Sequence, residues 1–226
     1  MSRAADRRFE AVVPDPTEVL DGELRKSGDT RRRILEAGTA LLAEQGYKKL
    51  STPLVAQAAG MTRAAMLYHF GSRLELVTAI VQHVTRRRIE LYADAMRGVP
   101  HDHGFLARAI DIAWEQLETP EFAAFAELAQ AARTDPELAA IMRPALAAFD
   151  GARREAAEQI FPAELVEAAE FDLRRDIARF LSEGVVQQDA IVRNKAERVG
   201  ALKRFLKLLV TTREGAALMR RAVDGD

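Results

Sequence analysis

The chain of 226 residues contains no cysteine, so disulfides, thiolate metal sites and cysteine nucleophiles are excluded, and a reducing cytoplasm is the expected setting. Long apolar runs are missing too. The amino-terminal residues intersperse Arg and Asp, so neither a signal peptide nor a membrane span is expected. Histidine is scarce, four in all, and no Ser-His-Asp set or pair of acids can be read, which leaves an all-helical enzyme without visible machinery. His101, Asp102 and His103 are potential metal ligands, but at i, i+2 spacing inside a break they do not converge; no metal and no cofactor is expected. Aromatic residues supply only 6%, and neither sign of charge dominates, the formal net charge being -1. What remains is 48% hydrophobic and 30% charged, rich in Ala and Leu and poor in Val-Thr-Ile runs. That is the composition of an ordinary all-α globular chain, long enough for one large or two modest domains.

The densest information lies in Leu50 to Phe70, LSTPLVAQAAGMTRAAMLYHF. Ser51 or Thr52 can cap a helix by accepting a bond from an otherwise orphan backbone N–H, and Pro53 is tolerated in the first turn. Val55, Ala56 and Ala59 form its buried side, Gly60 ends it, and Thr62 can cap a second helix in which Met66 and Phe70 lie four apart on one face. The other side of that second helix carries Thr62, Arg63, Leu67, Tyr68 and His69 in place of the Glu and Lys of a solvated surface. Hydroxyl, cation, ring and aliphatic group together suit phosphates, base edges and thymine methyls.

A supporting helix is expected over 30–45, with Ile34, Ala37, Leu41 and Leu42 at spacings of three and four. Gly46 closes it, Tyr47 reads as a core plug, and Lys48 and Lys49 stand on the loop. Ser72 with Glu75 three residues on forms a capping box that starts the next helix. From Asp29 to Arg73 there are seven basic residues against three acidic ones, a local charge of +4, which leaves -5 for the rest of the chain. A basic head on an acidic body orients a nearly neutral protein at a polyanion.

The segments TRRRILEAGTALLAEQGYKKLS and VAQAAGMTRAAMLYHFGSRLEL resemble the amino-terminal signature of the tetracycline-repressor (TetR) family of bacterial transcription regulators. The likeness joins the Thr-Arg helix opening, the break at Gly46 and Tyr47, the hydroxyl of Ser51, the Ala-Ala-Gly turn, and the ending at His69 and Phe70. Two positions depart from the family pattern: Leu67 takes the usual Tyr position with Tyr68 in the variable one, and Leu74 stands where an acidic residue is common. The resemblance implies an all-α architecture, an amino-terminal three-helix helix-turn-helix DNA-binding domain and a larger carboxy-terminal helical ligand-binding and dimerisation domain. The expected divisions are a flexible arm over 1–28, the DNA-binding domain over 29–75 and the second domain over 76–226. Double-stranded operator DNA is the implied partner. Arg63, Tyr68 and His69 would read or buttress bases, with Ala64 and Leu67 on the same helix, and Arg31, Lys48, Ser51, Thr52, Thr62 and Arg73 would hold phosphates.

In the arm, Pro14, Pro16 and scattered charge favour a tail without fixed structure; the alternative is that Arg3, Arg7, Arg8, Arg25 and Lys26 touch flanking DNA. Downstream of Arg73 the Gly, Pro, Thr and Asn breaks delimit helices near 73–97, 105–118, 121–132, 136–160, 163–191 and 195–212, with a short tail to 223. Arg86, Arg87 and Arg88 point in three directions and read as a solvated face, with one of them able to approach phosphate.

Two stripes look like a dimer surface. One runs through Leu173, Ile177, Phe180, Leu181, Gly184 and Val185. The other, wider than a single core-facing stripe needs, runs from Val199 through Leu202, Phe205, Leu206, Leu209 and Val210. Both could instead fill the core of one chain. The resemblance implies a four-helix interface and a homodimer whose two heads meet a palindromic operator. Phe105, Trp114, Phe122, Phe125, Met142 and Phe149 gather flat rings and soft apolar groups in the middle helices. Each alone reads as core packing. Together, with the resemblance, they are candidate contacts for an unidentified small-molecule effector that releases DNA and so makes the protein a repressor. A helical adaptor that binds protein through the surface from Arg63 to Tyr68 is the alternative reading, and an all-α enzyme the remotest.

Overall fold

The computed structural model describes residues 15–17, 25–187 and 195–225. Every regular element among them is helical. Helix α1 spans Arg25–Gln45, a 3-10 turn Tyr47–Lys49, α2 Thr52–Ala58, α3 Arg63–His69 and α4 Arg73–Met96. Then come α5 Phe105–Glu115 with a 3-10 turn Gln116–Glu118, α6 Pro120–Ala131, α7 Pro136–Ile160, the single turn α8 Ala163–Val166, α9 Phe171–Gln187, α10 Lys195–Thr211 and α11 Arg213–Asp224. None of these helices is long and apolar enough to cross a membrane.

The chain packs as two compact units that interleave along the sequence. Residues 1–91 and 118–155 form the first, and 92–117 and 156–226 the second, with boundaries inside α4 and inside α7. In the first unit α1 packs on α2, α3 and α6. Its core takes Ile34, Leu35 and Leu42 from α1, Val55 and Ala56 from α2, Met66 from α3, Phe70 beyond it, and Leu76, Val77, Ile80 and Val84 from α4. Ala37 and Leu41, expected in that face, are only half-buried, because the centre of the buried side falls on Leu35, Gly38 and Thr39. Gly38 has a reason: a Cβ there would stand 2.5 Å from the Ile80 Cδ1, so α1 and α4 approach as closely as the missing side chain allows.

Three expectations change in the structure. Residues 25–28 of the expected arm are helical and belong to α1. The helix expected over 163–191 is interrupted between α8 and α9, where Glu170 is buried and accepts hydrogen bonds from Arg174 Nη2 at 3.0 Å and Arg220 Nη1 at 2.9 Å. A buried carboxylate needs such partners, and one of them comes from α11, fifty residues away in sequence. The tail to 223 is a capped helix: Thr212 accepts from the Gly215 N–H, and Gly225 closes the end at φ 82. The far end of the expected 163–191 helix and the break at Asn194 lie outside the described residues, as do Arg3, Arg7 and Arg8.

The second unit has two apolar clusters. Met96, Phe105 and Ala109 pack with Tyr92, Ile160 and Phe161. Ile110, Leu206 and Val210 pack with Trp114, Ile177 and Leu181.

Candidate nucleic-acid interface

Helices α2 and α3 stand either side of a tight turn. Gly60 adopts φ 67, and nothing lies within 4 Å of a Cβ added there, so backbone conformation rather than crowding calls for glycine. Thr62 caps α3, its Oγ1 accepting from the Ala65 N–H at 3.1 Å. Ser51 occupies the cap position of α2 in extended geometry, yet its side chain makes no capping bond, which corrects the expected cap. Met66 is wholly buried and Phe70 nearly so. These two side chains hold α3 from behind, as their spacing of four predicts.

With that face fixed, Thr62, Arg63, Ala64 and Ala65 are exposed, and the Tyr68 ring is 79% exposed. Leu67 and His69 are half-buried. The two rings at 68 and 69 meet edge to face, centroids 5.3 Å apart. Of the pair whose order departs from the family pattern, Tyr68 is therefore the one that projects. Lys48 and Lys49 are exposed on the turn that leads into α2. Arg73, at the start of α4, is exposed and stands over the Tyr47 ring at 5.2 Å. Ser72 accepts from the Glu75 N–H at 3.1 Å, while the Glu75 carboxylate accepts from the Gly71 N–H at 2.8 Å, so the reciprocal cap closes one residue earlier than the capping box predicts.

Two of the expected phosphate contacts are differently disposed. Thr52 is buried. Arg31 is half-buried and committed inside the chain: Nη1 donates to the His69 carbonyl and Nε to the Pro16 carbonyl, both at 2.8 Å, and the guanidinium lies 4.5 Å from the Phe70 ring centre. Tyr47 is half-buried rather than a core plug. Its backbone N–H donates to Glu127 Oε1 of α6 at 2.8 Å, beside Gly46 at φ 80, where a Cβ would lie 2.9 Å from that same oxygen. Nothing in the local sequence marks Glu127 as a partner of this loop; the pairing spans eighty residues.

The run Arg86 to Arg88 is not a solvated face. Arg86 Nε and Arg87 Nη1 both donate to the Glu90 carboxylate at 2.8 Å. Arg88 turns inward, its guanidinium carbon 4.3, 4.6 and 5.1 Å from the ring centres of Phe125, Phe149 and Phe122. Cation and ring faces attract, so the aromatic residues expected to line an effector site also house this cation. The six candidate effector contacts divide between the units. Phe122, Phe125, Phe149 and Met142 are buried in the first; in the second, Phe105 is buried and Trp114 half-buried. In the loop after α4, Asp102 accepts from Arg108 at 2.6 Å and from the Gly104 N–H at 2.7 Å. No cluster of three metal-ligating side chains occurs among the described residues.

The expected dimer residues separate by exposure. Phe180 on α9 and Phe205 on α10 are 62% and 60% exposed, and a Cβ added at Gly184 meets nothing within 4 Å. Leu173, Ile177, Leu181, Val185, Leu202 and Leu209 are half-buried. Leu206 is 1% exposed within the single chain and belongs to its core. Leu208, at 62% exposed, lies on the same helix as Phe205 and extends the stripe beyond the expected residues.

A short helix held from behind by two apolar anchors, joined through a glycine turn to a second helix and presenting a cation and a phenol outward, defines a helix-turn-helix DNA-binding transcriptional regulator. Residues 34–80 match the family described as "Bacterial regulatory proteins, tetR family". It is 27% identical over 136 residues to an uncharacterised HTH-type transcriptional regulator of Mycobacterium tuberculosis, covering 60% of this chain and 70% of that one. It is 28% identical over 107 residues to the HTH-type transcriptional repressor AcnR of Corynebacterium efficiens, covering 44% and 57% respectively. The fold is shared with a TetR-family transcriptional regulator from Rhodococcus sp., TM-score 0.57 at 18% identity, covering 81% of this chain and 100% of that one.

Proposed function

We propose that the protein is a homodimeric repressor that acts in the cytoplasm and leaves a palindromic operator when a small molecule binds. Residues 29–75 would form the DNA-reading domain and 76–226 the regulatory and dimerisation domain. The observation that carries the reading is α3, whose buried Met66 and adjoining Phe70 leave Arg63, Ala64 and Tyr68 facing outward. Arg63 and Tyr68 would meet base edges with His69 and Leu67 alongside, and Lys48, Ser51, Thr62 and Arg73 would meet phosphates. Thr52 and Arg31 serve the frame that holds these groups. The exposed Phe180, Phe205 and Leu208 support a second copy as the partner of α9 and α10, because large apolar side chains are costly to leave in water. Release by an effector would follow if binding at either aromatic cluster favoured a dimer whose heads no longer match the half-site spacing.

The test is selection of bound fragments from the source genome, followed by titration of the selected duplex at several salt concentrations. The expected result is a symmetric site and an affinity that falls steeply with salt, by about 0.9 in logarithmic slope for each phosphate contacted. An adaptor that binds protein would select no sequence.

A further inference from the structure

We propose that Arg31 is a positioning residue for DNA reading: it latches the carboxyl-terminal end of the recognition helix to the segment Asp15 to Thr17, so that this segment helps to set how α3 meets DNA. The inference rests on the DNA-reading role of α3.

Helix α3 has seven residues, so more than half of its carbonyls, the last four, lack a partner within the helix. Its two apolar anchors, Met66 and Phe70, fix one face, and Arg31 adds a polar hold at the carboxyl-terminal end. One arm of its guanidinium donates to the His69 carbonyl at 2.8 Å, where a cation also meets the negative end of the helix dipole. The plane covers the Phe70 ring at 4.5 Å. The remaining Nε donates to the Pro16 carbonyl at 2.8 Å.

Pro16 is buried, and the turn that presents its carbonyl is built by Asp15. Asp15 Oδ1 accepts from the Thr17 N–H at 2.8 Å and from the Thr17 hydroxyl at 2.7 Å. Its other oxygen lies 3.9 Å from Arg86 Nε on α4. A continuous path thus runs from α4 through Asp15 and Pro16 to Arg31 on α1 and on to the end of α3. A guanidinium fork can serve two carbonyls at a fixed angle; an ammonium cannot. A phosphate contact would need only the charge.

The experiment compares the full-length protein with Arg31→Gln, Arg31→Lys, Asp15→Ala and the Asp15→Ala/Arg31→Gln double variant. In the free proteins, hydrogen exchange of the amides from Met66 to Phe70 should quicken in all four, with the rest of α1 and α4 protected as before. On the selected operator, Arg31→Gln and Arg31→Lys should each lose about ten-fold in affinity. Random duplex should lose less than about two-fold, with the salt slope unchanged. The double variant should fall no further than Arg31→Gln alone, since both changes break one latch. A slope lowered by about 0.9, equal losses on operator and random DNA, and full retention by Arg31→Lys would make Arg31 a phosphate contact and overturn the proposal. Unaltered exchange at Met66 to Phe70 would overturn it as well. If the unsubstituted protein selected no duplex while the exchange pattern changed as expected, the DNA reading would fall and the latch would remain as a structural device only.

Discussion

Arg63 is exposed at the first turn of α3, and its worth to binding should depend on what it meets. Arg63→Ala is expected to cost about 1 to 3 kcal/mol on the operator if the guanidinium bridges a guanine, with a much smaller loss on random duplex. Equal losses on both duplexes, read by fluorescence anisotropy, would assign it to phosphate. His83 makes a different kind of prediction. It is buried on α4, and desolvation, helped by Arg87, lowers its pKa to about 4 from 6.5. Below pH 6.5 the unfolded chain takes up the proton and the folded chain does not. Stability should therefore fall as pH drops from about 6.5 to about 4, by roughly 3 kcal/mol at most, and flatten below. Urea unfolding at several pH values should show that slope, and His83→Gln should reduce it. The outward face of α3 could be read in the sequence because its composition is unlike a solvated helix. The fates of Arg31 and Arg88 could not, because the His69 carbonyl and the three phenylalanine rings that receive them come from other elements.

The caps and turns of the short helices give predictions that need no DNA. Thr62→Ala removes a capping bond that the structure contains and should cost about 1 kcal/mol, whereas Ser51→Ala removes none and should shift the denaturant midpoint much less. If the two variants were equally destabilised, the difference in capping would have no energetic meaning. Gly60→Ala should cost about 1 kcal/mol from the left-handed backbone alone, because the space for a methyl group is open. Breaks made by local chemistry were legible for the same reason that these predictions are local: a glycine, a proline or a capping threonine acts on its own neighbours. The interruption between α8 and α9 was not, since Glu170 is held by Arg220 from α11, and neither was the hold of Glu127 on the Gly46 turn. Helix at 25–29 was not legible because the amphipathic pattern begins only at Ile34, while helical hydrogen bonding reaches earlier.

For the whole molecule the question is whether the apolar stripe of α10 belongs to one chain or to two, and adjacent residues answer it with opposite expectations. Phe205 is 60% exposed and Leu206 1% exposed. Placing a charge at Phe205 leaves it in water in the single chain, so Phe205→Asp should change the stability of that chain by no more than about 0.5 kcal/mol. In a dimer the same carboxylate would be driven against apolar surface with no partner, which costs several kcal/mol in the interface. Sedimentation should then report monomers that keep their helical content. Leu206→Asp puts the carboxylate among Ile110 and Val210 and should unfold the second unit outright. A Phe205→Asp protein of unchanged mass would place the dimer surface elsewhere than this face of α10. If it is monomeric, one head remains to bind, and operator affinity should fall far more than affinity for a single half-site. The loss comes from the tether between two heads rather than from any contact to DNA, since linking two binding events raises the overall affinity by about 100-fold or more when the geometry lets both engage.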